Sequence, residues 1–369
     1  MKIRDRYHQN YIFLGTESSH RQLKKFRAKH KTKASIINKI IRLIIVFVLV
    51  YQLYKYKIFI KRKKILSEKE KHSVENSLKK DYKNNKFIIL SHVCVECGLL
   101  SHYNKFLSCL VNILNQGRIP LVNLIRFPNI FNGFNDSSLT LDQNPWEYFF
   151  KQPFGYNLKD VKTNSKNIRD YECSIYKRPN HDIIFDNKFY SYYWHNLYET
   201  YFPIKDEIII RAENIMKKLF KNSENILGIF LRGTDFVATK PKKHYIQPEP
   251  EVVFNDVDKF DEQNNYDFYF LVTEDYLIRD KFKNKYNKKL KYLENNLSFN
   301  YNYASGKELL AYNKNINGNF IFMKDYLTNI VILSKCIDII CGRANGAVMA
   351  FIITKGFRNV KAYNFGKYK

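Results

Sequence analysis

The sequence predicts an α/β protein with parallel sheets, and two observations support this fold class. Apolar runs of five to seven residues recur between residues 87 and 364, and segments with a helical period of apolar residues separate them. Strands joined through helices pair in parallel, and the helices cover the sheet. Because 369 residues exceed what one hydrophobic core usually holds, we expect two such domains behind a separate N-terminal segment.

Residues 1–80 form the N-terminal segment, which differs in composition from the rest of the chain. Its apolar stretch, residues 36–54, reaches the roughly 20 residues that span a bilayer only if Lys39 and Arg42 are included. We expect a membrane anchor here, either crossing the bilayer or lying in its plane; a buried helix is the alternative. The polar and charged residues 67–85 then predict a linker.

The formal net charge of +27, from 62 Lys and Arg against 35 Asp and Glu, predicts attraction to anions. Nucleic acid, acidic lipid and phosphorylated substrates all meet this description. The sequence has no RNP, zinc-finger or recognition-helix signature, so we expect no specific nucleic-acid partner. A basic nucleic-acid-binding protein remains an alternative on charge alone.

Six cysteines are distributed through the chain: Cys94, Cys97, Cys109, Cys173, Cys336 and Cys341. The first two form a C-x-x-C, but no second pair and no nearby histidine completes a zinc set. Cys109 falls in an apolar helical pattern, and the last two flank an apolar strand. We therefore expect buried, reduced thiols, which fit a reducing compartment.

The predicted N-terminal domain, residues 81–205, begins with a β-α-β unit. Residues 87–91 are predicted to form a strand, a helix follows Gly98, and residues 119–125 form the next strand. Such units build parallel sheets. Residues 128–205 are rich in Asn, Pro and aromatic side chains, and we expect irregular structure that covers a cleft or joins two domains.

The predicted C-terminal domain, residues 206–369, repeats the alternation. Its expected helices cover residues 206–221, 252–260, 280–286, 326–335 and 346–354, and its expected strands cover residues 226–231, 266–272, 290–293, 337–341 and 359–364. The first, second and fourth of these strands end in polar loops. In open α/β sheets ligands bind outside the carboxyl ends of the strands, so we expect these loops to form one site.

The three polar loops carry residue types that suit a sugar diphosphate. They are Arg232 and Thr234 in the first loop, Thr273, Glu274 and Asp275 in the second, and Arg343 and Asn345 in the third. Guanidinium groups and helix N-termini match phosphate oxygens, and carboxylates suit ribose or sugar hydroxyls. Each residue alone has a structural explanation, such as a surface ion pair for Arg232 or a helix N-cap for Asp275. Their convergence favours a binding site.

The sequence contains no Walker A pattern, no G-x-G-x-x-G and no H-E-x-x-H. Hydrolase and dehydrogenase functions therefore lose their main support, and no sequence pattern indicates a metal site. His195, within the run Ser191–Asn196 (SYYWHN), has two open interpretations. It packs in an aromatic cluster, or it belongs to a site.

Several of these motifs together resemble the fucosyltransferase superfamily. Arg232-Gly-Thr-Asp235, with His244 nine residues after the aspartate, is similar to the R-x-T-D motif of that family. The second loop (TED) is similar to its T-D-D or T-E-D, and the third (CGRANG) to its S-R-x-S-G loop. Gly98 lies in a segment similar to the family's glycine-led first helix. Residues 240–248 (KPKKHYIQP) resemble a bacterial branch of surface-polysaccharide enzymes with R-G-T-D…K-P-K-x-H-x-x-Q-P.

The resemblance covers residues 86–369 and implies a GT-B architecture, in which two Rossmann-like domains face a cleft. The C-terminal domain would hold a nucleotide-sugar such as GDP-fucose without a required metal, and transfer would invert the anomeric centre. Arg232 would pair with the donor diphosphate. The other implied substrate-binding positions are Gly98, Thr234, Lys240, Thr273, Glu274, Asp275, Arg343, Ala344, Asn345 and Gly346.

The chain departs from the family's pattern at three positions. Gly233 stands where some relatives have a second arginine, and Ala344 where they have serine or threonine. Lys240 stands where the α1,6 enzymes have a glutamate proposed as the base. The donor sugar and the base are therefore open. Asp235 is the first candidate base and His244 the second, and the alternative for Asp235 is a structural carboxylate that caps the loop.

Together these inferences predict a membrane-associated glycosyltransferase that builds a bacterial surface glycan. It would take a nucleotide-sugar, with GDP-linked donors expected first, on the cytoplasmic side of the inner membrane. It would transfer the sugar to a glycan acceptor and contact membrane lipid through residues 36–54. Lys240 and Ala344 suggest a first alternative, a catalytically inactive relative that acts as a membrane-associated nucleotide-sugar-binding or scaffold protein. The nucleic-acid-binding protein is the second alternative.

Overall fold

The computed structural model describes residues 82–95, 97–114, 116–132, 139–173, 179–296, 316–354 and 356–369. The predicted anchor at 36–54 lies outside these residues, as does most of the predicted linker at 67–85. All described residues belong to one compact unit within Glu75–Lys369. Within the described residues, no helix is long and apolar enough to cross a membrane.

A small parallel sheet forms the first part of the fold. Its strands are β1 (Phe87–Ser91), β2 (Ile119–Val122) and β3 (Ile168–Glu172), in the order β2-β1-β3. Helix α1 (Leu99–Leu114) connects β1 to β2, and all five residues of β1 are buried. A central parallel strand is covered on both faces, which explains its nearly continuous apolar run. The predicted β-α-β unit is confirmed.

A larger parallel sheet follows. Its strands are β4 (Ile226–Phe230), β5 (Phe268–Val272), β6 (Leu290–Lys291), β7 (Asp338–Gly342) and β8 (Val360–Tyr363), in the order β6-β5-β4-β7-β8. All neighbouring strands are parallel. β4 comes first in the chain among these five strands but lies in the middle of the sheet, so the strand order reverses between β4 and β7. Such a reversal is a topological switch point, and it leaves a crevice at the carboxyl ends of the central strands.

Helices connect and cover these strands. Within the described residues they are α2 (Trp146–Phe149), α3 (Leu158–Asn164), α4 (Lys188–Tyr201), α5 (Asp206–Phe220), α6 (Thr234–Thr239), α7 (Pro250–Asn264), α8 (Tyr276–Tyr286), α9 (Ile316–Ser334) and α10 (Asn345–Ile353). Short 3-10 turns lie at Leu141–Gln143, Pro153–Gly155, Asn287–Lys289 and Glu294–Asn296. Side-chain caps begin three helices, because Asn157, Asn187 and Asp275 accept backbone N–H bonds at the starts of α3, α4 and α8.

The prediction of irregular structure for residues 128–205 is wrong. The described part of this region contains β3, α3 and α4. β3 (IRDYE) lies at the edge of its sheet and exposes Arg169, Asp170 and Glu172, so it lacks the apolar run that predicts a strand. Helix α9 also begins earlier than predicted, at Ile316.

One hydrophobic core contains side chains from both sheets. Helix α4 is joined to the end of α10, because Ser191 Oγ donates to the carbonyl of Phe351 at 2.8 Å and His195 Nδ1 lies 2.9 Å from the carbonyl of Ile352. His195 is buried, and this contact shows a structural role that joins the two helices. The predicted domain boundary at residue 205 stays a prediction.

The six cysteines divide into two groups. Cys94 and Cys97 form a disulfide in the loop between β1 and α1, so the expectation of reduced, buried thiols is wrong for this pair. The remaining four are buried and unbonded, as predicted: Cys109, Cys173, Cys336 and Cys341. Spacing alone did not reveal the disulfide, because a C-x-x-C fits zinc ligands, reduced thiols and a disulfide equally.

Candidate functional site

The loop after β4 lies against the residues that follow β5. These strands are parallel neighbours in a register that pairs Phe230 with Val272, so their carboxyl ends are adjacent. The residues beyond the two ends are Arg232, Gly233 and Thr234 on one side and Thr273, Glu274 and Asp275 on the other. The structure therefore brings two of the three predicted loops into contact.

Glu274 is the centre of this contact. Its Oε1 lies 3.0 Å from Arg232 Nε, accepts the backbone N–H of Gly233 at 2.9 Å and accepts the Thr234 hydroxyl at 3.2 Å. The Glu274 side chain is 4% exposed and the Arg232 side chain 18%. Hydrogen bonds to charged groups are stronger in such partly dehydrated surroundings than at the surface. One carboxylate oxygen therefore fixes both the guanidinium and the backbone that carries it.

Asp275 fixes the same loop from a second direction. Its Oδ1 accepts the backbone N–H groups of Leu277 (2.8 Å) and Ile278 (3.3 Å), so it is the N-cap of α8. Its own N–H donates to Thr273 Oγ1 at 3.1 Å, and its Oδ2 accepts the backbone N–H of Thr234 at 2.7 Å. Thr234 has a φ of 39°, which is unusual for a β-branched residue and persists only where neighbours enforce it. The N-cap interpretation of Asp275 is confirmed.

The position of Asp275 also explains Gly233. A Cβ atom at residue 233 would lie 2.2 Å from Asp275 Oδ2 and 2.5 Å from Asp275 Cβ. Asp275 is held by both α8 and the loop, so moving it aside would break hydrogen bonds to both. A side chain as large as arginine at this position therefore does not fit this chain without displacing Asp275.

We expect Gly233→Ala to lower the free energy of unfolding by about 1–3 kcal/mol, because the added methyl group displaces the Asp275 carboxylate from its partners. Urea denaturation measures the change. The control is Gly117→Ala, where a Cβ meets no atom within 4 Å and only the positive φ of 62° opposes alanine. A Gly233→Ala variant as stable as the parent chain would contradict the contact with Asp275.

Aromatic rings also hold Arg232. Its guanidinium carbon lies 4.5 Å from the centroid of the Phe236 ring, and Phe236 stacks on His244 with centroids 5.4 Å apart. A cation over an aromatic face is attracted to it and keeps its charge. The sequence predicted His244 near the donor. In the structure His244 is exposed, and the Phe236 ring that it stacks on also contacts Arg232.

Helix α6 begins at Thr234 and carries two further predicted residues. Asp235 lies in its first turn, and the role of Asp235 as a base stays a prediction. Lys240 caps the other end in the left-handed conformation, with a φ of 45°, and its side chain is exposed. An ammonium group there adds positive charge to the loop that Arg232 begins.

The chain's last residues hold the segment beyond α6. The N–H of Lys243 donates to the carbonyl of Tyr368 at 3.0 Å, and the N–H of Tyr368 donates to the carbonyl of His244 at 2.9 Å. The N–H of Ile246 donates to the carbonyl of Gly366 at 3.0 Å. The position of His244 thus depends on pairing with residues more than 100 positions away, which no local sequence pattern reveals.

The third loop follows β7, and its arginine has a different environment. Arg343 Nη1 donates to the carbonyl of His181 at 2.8 Å and lies 3.4 Å from Asp182 Oδ1, while Nη2 lies 3.4 Å from Asp186 Oδ2. Its side chain is 5% exposed and lies over the ring of Phe185, 5.5 Å from the centroid. The structure places this guanidinium against residues 181–186, where it fastens the segment before α4. A phosphate contact for Arg343 stays a prediction, and it requires exchange of these partners.

Ala344, Asn345 and Gly346 begin α10. Ala344 occupies the N-cap position, where its methyl group offers no side-chain cap. The Nδ2 of Asn104, on α1, donates to Asn345 Oδ1 at 3.0 Å, so this loop contacts the helix that connects β1 to β2. Gly346 is close to neighbouring rings, because a Cβ there would lie 2.2 Å from Tyr326 Oη and 2.6 Å from the Phe230 ring.

A histidine pair at the carboxyl end of β1 was missed by the sequence analysis. His92 Nδ1 lies 3.1 Å from His102 Nδ1, and the rings meet edge to face. Burial, with the neighbouring His92, lowers the pKa of His102 to about 3, so that His102 is neutral near pH 7. Gly98 lies between them in the chain, and its carbonyl accepts the N–H of His102 at 3.3 Å in the first turn of α1. The two histidines flank the C-x-x-C, but isolated histidines give no periodic signal.

A metal site has no support in the part of the chain that the structure describes. No group of three or more His, Cys, Asp or Glu side chains there has an arrangement able to hold a metal ion. The charged groups at the candidate site include the guanidinium of Arg232 and the carboxylate of Glu274 that pairs with it.

No protein-family model matches the chain, and no curated protein sequence matches it. Among solved structures, it is similar to NodZ α-1,6-fucosyltransferase co-crystallised with GDP, with 11% identity, a TM-score of 0.39 and coverage of 73% of this chain and 93% of that chain. It is similar to fucosyltransferase NodZ from Bradyrhizobium, with 10% identity, a TM-score of 0.38 and coverage of 72% and 92%. It is also similar to POFUT1 in complex with GDP-fucose, with 9% identity, a TM-score of 0.44 and coverage of 76% and 98%.

These values are too low to carry substrate or mechanism from those proteins to this chain. What the chain's own residues establish is a mixed α/β fold with two parallel sheets and an arginine fixed at the carboxyl edge of the larger sheet.

Proposed function

We propose that the chain is a glycosyltransferase that binds a nucleotide-sugar at the carboxyl edge of the larger sheet. The observation that carries the proposal is the position of Arg232. Its guanidinium follows the central strand β4 at the switch point, is held by Glu274 and Phe236, and keeps 18% of its side chain exposed. Ligands of open α/β sheets bind at this edge.

The chemistry of sugar transfer explains why a fixed cation belongs here. The bond between the anomeric carbon and the diphosphate breaks, and the leaving diphosphate gains negative charge. A guanidinium already oriented by its protein partners stabilises that charge more in the transition state than in the ground state. A planar guanidinium also matches phosphate oxygens two at a time.

The finer features of the proposal rest on the motif resemblance. They are a GT-B arrangement, a GDP-linked donor, inversion at the anomeric carbon and a glycan acceptor. Thr273 and Glu274 with Asp275 would shape the nucleoside side of the site, while Lys240, Ala344, Asn345 and Gly346 would line the sugar or phosphate side. Asp235 and His244 are the proposed bases, and His244 has support from its place beside Phe236. Gly98 is proposed as the turn that admits the donor at the start of α1.

We also propose that residues 36–54 attach the protein to a membrane surface, with the catalytic part on the cytoplasmic side. The support is the length and apolarity of that segment and the strongly basic composition of the chain. Acidic lipid attracts basic segments, and a glycan acceptor on a lipid carrier would lie at the same surface.

A thermal-shift panel tests the donor site. The panel contains GDP, UDP, GDP-fucose, GDP-mannose and UDP-glucose, each with the full chain. A ligand at one hundred times its Kd stabilises the folded state by about 2.7 kcal/mol, which we expect to raise Tm by roughly 5 °C. The guanine-containing ligands are expected to give the larger shifts. No shift with any member of the panel would overturn the proposal.

A second candidate function is nucleotide-sugar binding without transfer. Lys240 stands where relatives keep an acid, and it is exposed at the end of α6. Turnover decides between the two functions. A donor that raises Tm but is neither hydrolysed nor transferred to any acceptor in a broad glycan panel would favour the scaffold function.

A further inference from the structure

The disulfide between Cys94 and Cys97 has no part in the proposed donor site. Its two Cα atoms are 5.5 Å apart in the loop between β1 and α1, a usual separation for bonded cysteines. Both residues are partly exposed, whereas the other four cysteines are buried. Among the described cysteines, solvent therefore reaches the bonded pair and not the free thiols.

The helix that follows favours release of a thiolate. Cys97 immediately precedes Gly98, whose carbonyl accepts the N–H groups of Ser101 (2.9 Å) and His102 (3.3 Å) and so closes the first turn of α1. The N-terminus of a helix carries partial positive charge, which lowers the pKa of a nearby thiol. A thiolate of low pKa is a good leaving group, so a disulfide in this setting is readily attacked by thiols.

The surroundings of the pair are accessible, and the fold does not depend on it. Val93 and Val95, on either side of Cys94, are 50% and 43% exposed. β1 and α1 are held by core residues such as Phe87 and Tyr103, which are fully buried. The disulfide joins cysteines only 3 residues apart in the sequence, so it restricts the unfolded chain little. Opening the disulfide should therefore leave the domain folded.

We propose that Cys94 and Cys97 form a reversible thiol–disulfide exchange site whose reactants are thiols, either a low-molecular-weight thiol or a protein dithiol. An attacking thiolate forms a bond to one sulfur and breaks the Cys94–Cys97 bond, which leaves a mixed disulfide and one chain thiolate. A second thiol displaces the first reactant as its disulfide. In sum, one disulfide and two thiols become two chain thiols and one new disulfide.

The exchange chemistry does not require the proposed transfer activity, but Cys97 is next to Gly98, which the proposed function places at the donor site. α1 begins at Leu99, two residues after Cys97, and its Asn104 donates to Asn345 at the start of α10. The Cys94–Cys97 pair therefore lies next to the start of a helix that contacts the third predicted loop.

The experiment equilibrates the full chain with glutathione buffers, alkylates free thiols and measures each cysteine by mass spectrometry. The alkylated fraction of Cys94 and Cys97 is expected to rise from about a tenth to nine tenths over an approximately hundredfold change in the ratio of squared glutathione to glutathione disulfide. The alkylated fraction should fall back to its starting value when the ratio is reversed, and the protein should stay folded throughout. The buried cysteines should stay unmodified until denaturant is added.

A second arm uses reduced thioredoxin in place of glutathione, and it distinguishes the two sources of thiol. Exchange with thioredoxin alone assigns a protein dithiol as the reactant. The Cys97→Ser variant should trap one glutathione per chain on Cys94, and the control Cys109→Ala should behave as the parent chain. The proposal is overturned if neither reagent changes the pair while the protein is folded, or if the change does not reverse.

Discussion

Replacing Arg232 with alanine is expected to lower kcat for transfer or hydrolysis of the nucleotide-sugar by about 100- to 1,000-fold, the usual cost of removing one preorganised group that stabilises transition-state charge. Glu274 and Phe236 hold the guanidinium before the ligand arrives, at 3.0 Å and 4.5 Å. Little reorganisation is then needed during the reaction. A lysine cannot reproduce this, because it lacks the planar fork, so Arg232→Lys should recover only a small part of the rate.

The measurement is release of nucleoside diphosphate under saturating donor, with Tm recorded for each variant. Arg232→Ala leaves the buried Glu274 without its cation, so lost stability could imitate lost catalysis. The double variant Arg232→Ala with Glu274→Gln removes both charges and should regain stability but not turnover. Arg169→Ala, on the exposed edge strand β3, is the matched control and should retain full turnover. An Arg232→Ala variant that turns over donor at the parent rate would refute the role of Arg232.

The sequence predicted the strands whose burial is complete, because these are continuous apolar runs. β1, β4 and β7 are each buried throughout and were each predicted within about two residues. It also predicted that the loops after β4 and β5 would meet, since parallel neighbours end at one edge. Edge strand β3 could not be predicted in this way, because three of its five residues face solvent and carry charge.

Local sequence patterns could not predict which residues contact the site residues. Arg343 is held by residues 181–186, which are about 160 positions away in the chain. Gly233 is explained only by the exact approach of Asp275, a distance that spacing does not give. The C-x-x-C was ambiguous for a different reason, since its chemistry depends on burial and on the helix that follows. The sequence therefore predicted which strand ends lie together, and it did not predict the contacts between their side chains.

Replacing Glu274 with alanine is expected to lower the free energy of unfolding by about 3 kcal/mol, because its Oε1 lies 3.0 Å from Arg232 Nε and accepts the Gly233 N–H and the Thr234 hydroxyl, and removing one partner of a buried ion pair is costly. The N–H of Gly233 would lose its acceptor in a buried place. The Thr234 hydroxyl would lose this acceptor as well, while the Thr234 N–H would keep its bond to Asp275 Oδ2. This is the largest stability effect that we expect at the site.

Urea denaturation should show a lower midpoint with an unchanged slope, which means that stability changes and the extent of unfolding does not. Glu251→Ala is the matched control, because the Glu251–Lys281 pair is exposed to solvent and should contribute little to stability. Glu274→Ala also keeps the guanidinium of Arg232 and removes the carboxylate that orients it. Donor turnover should therefore fall even under conditions where the variant is fully folded. If Glu274→Ala were destabilised yet turned over donor normally, the charge of Arg232 alone would suffice, and the preorganisation inferred from its contacts with Glu274 would be wrong.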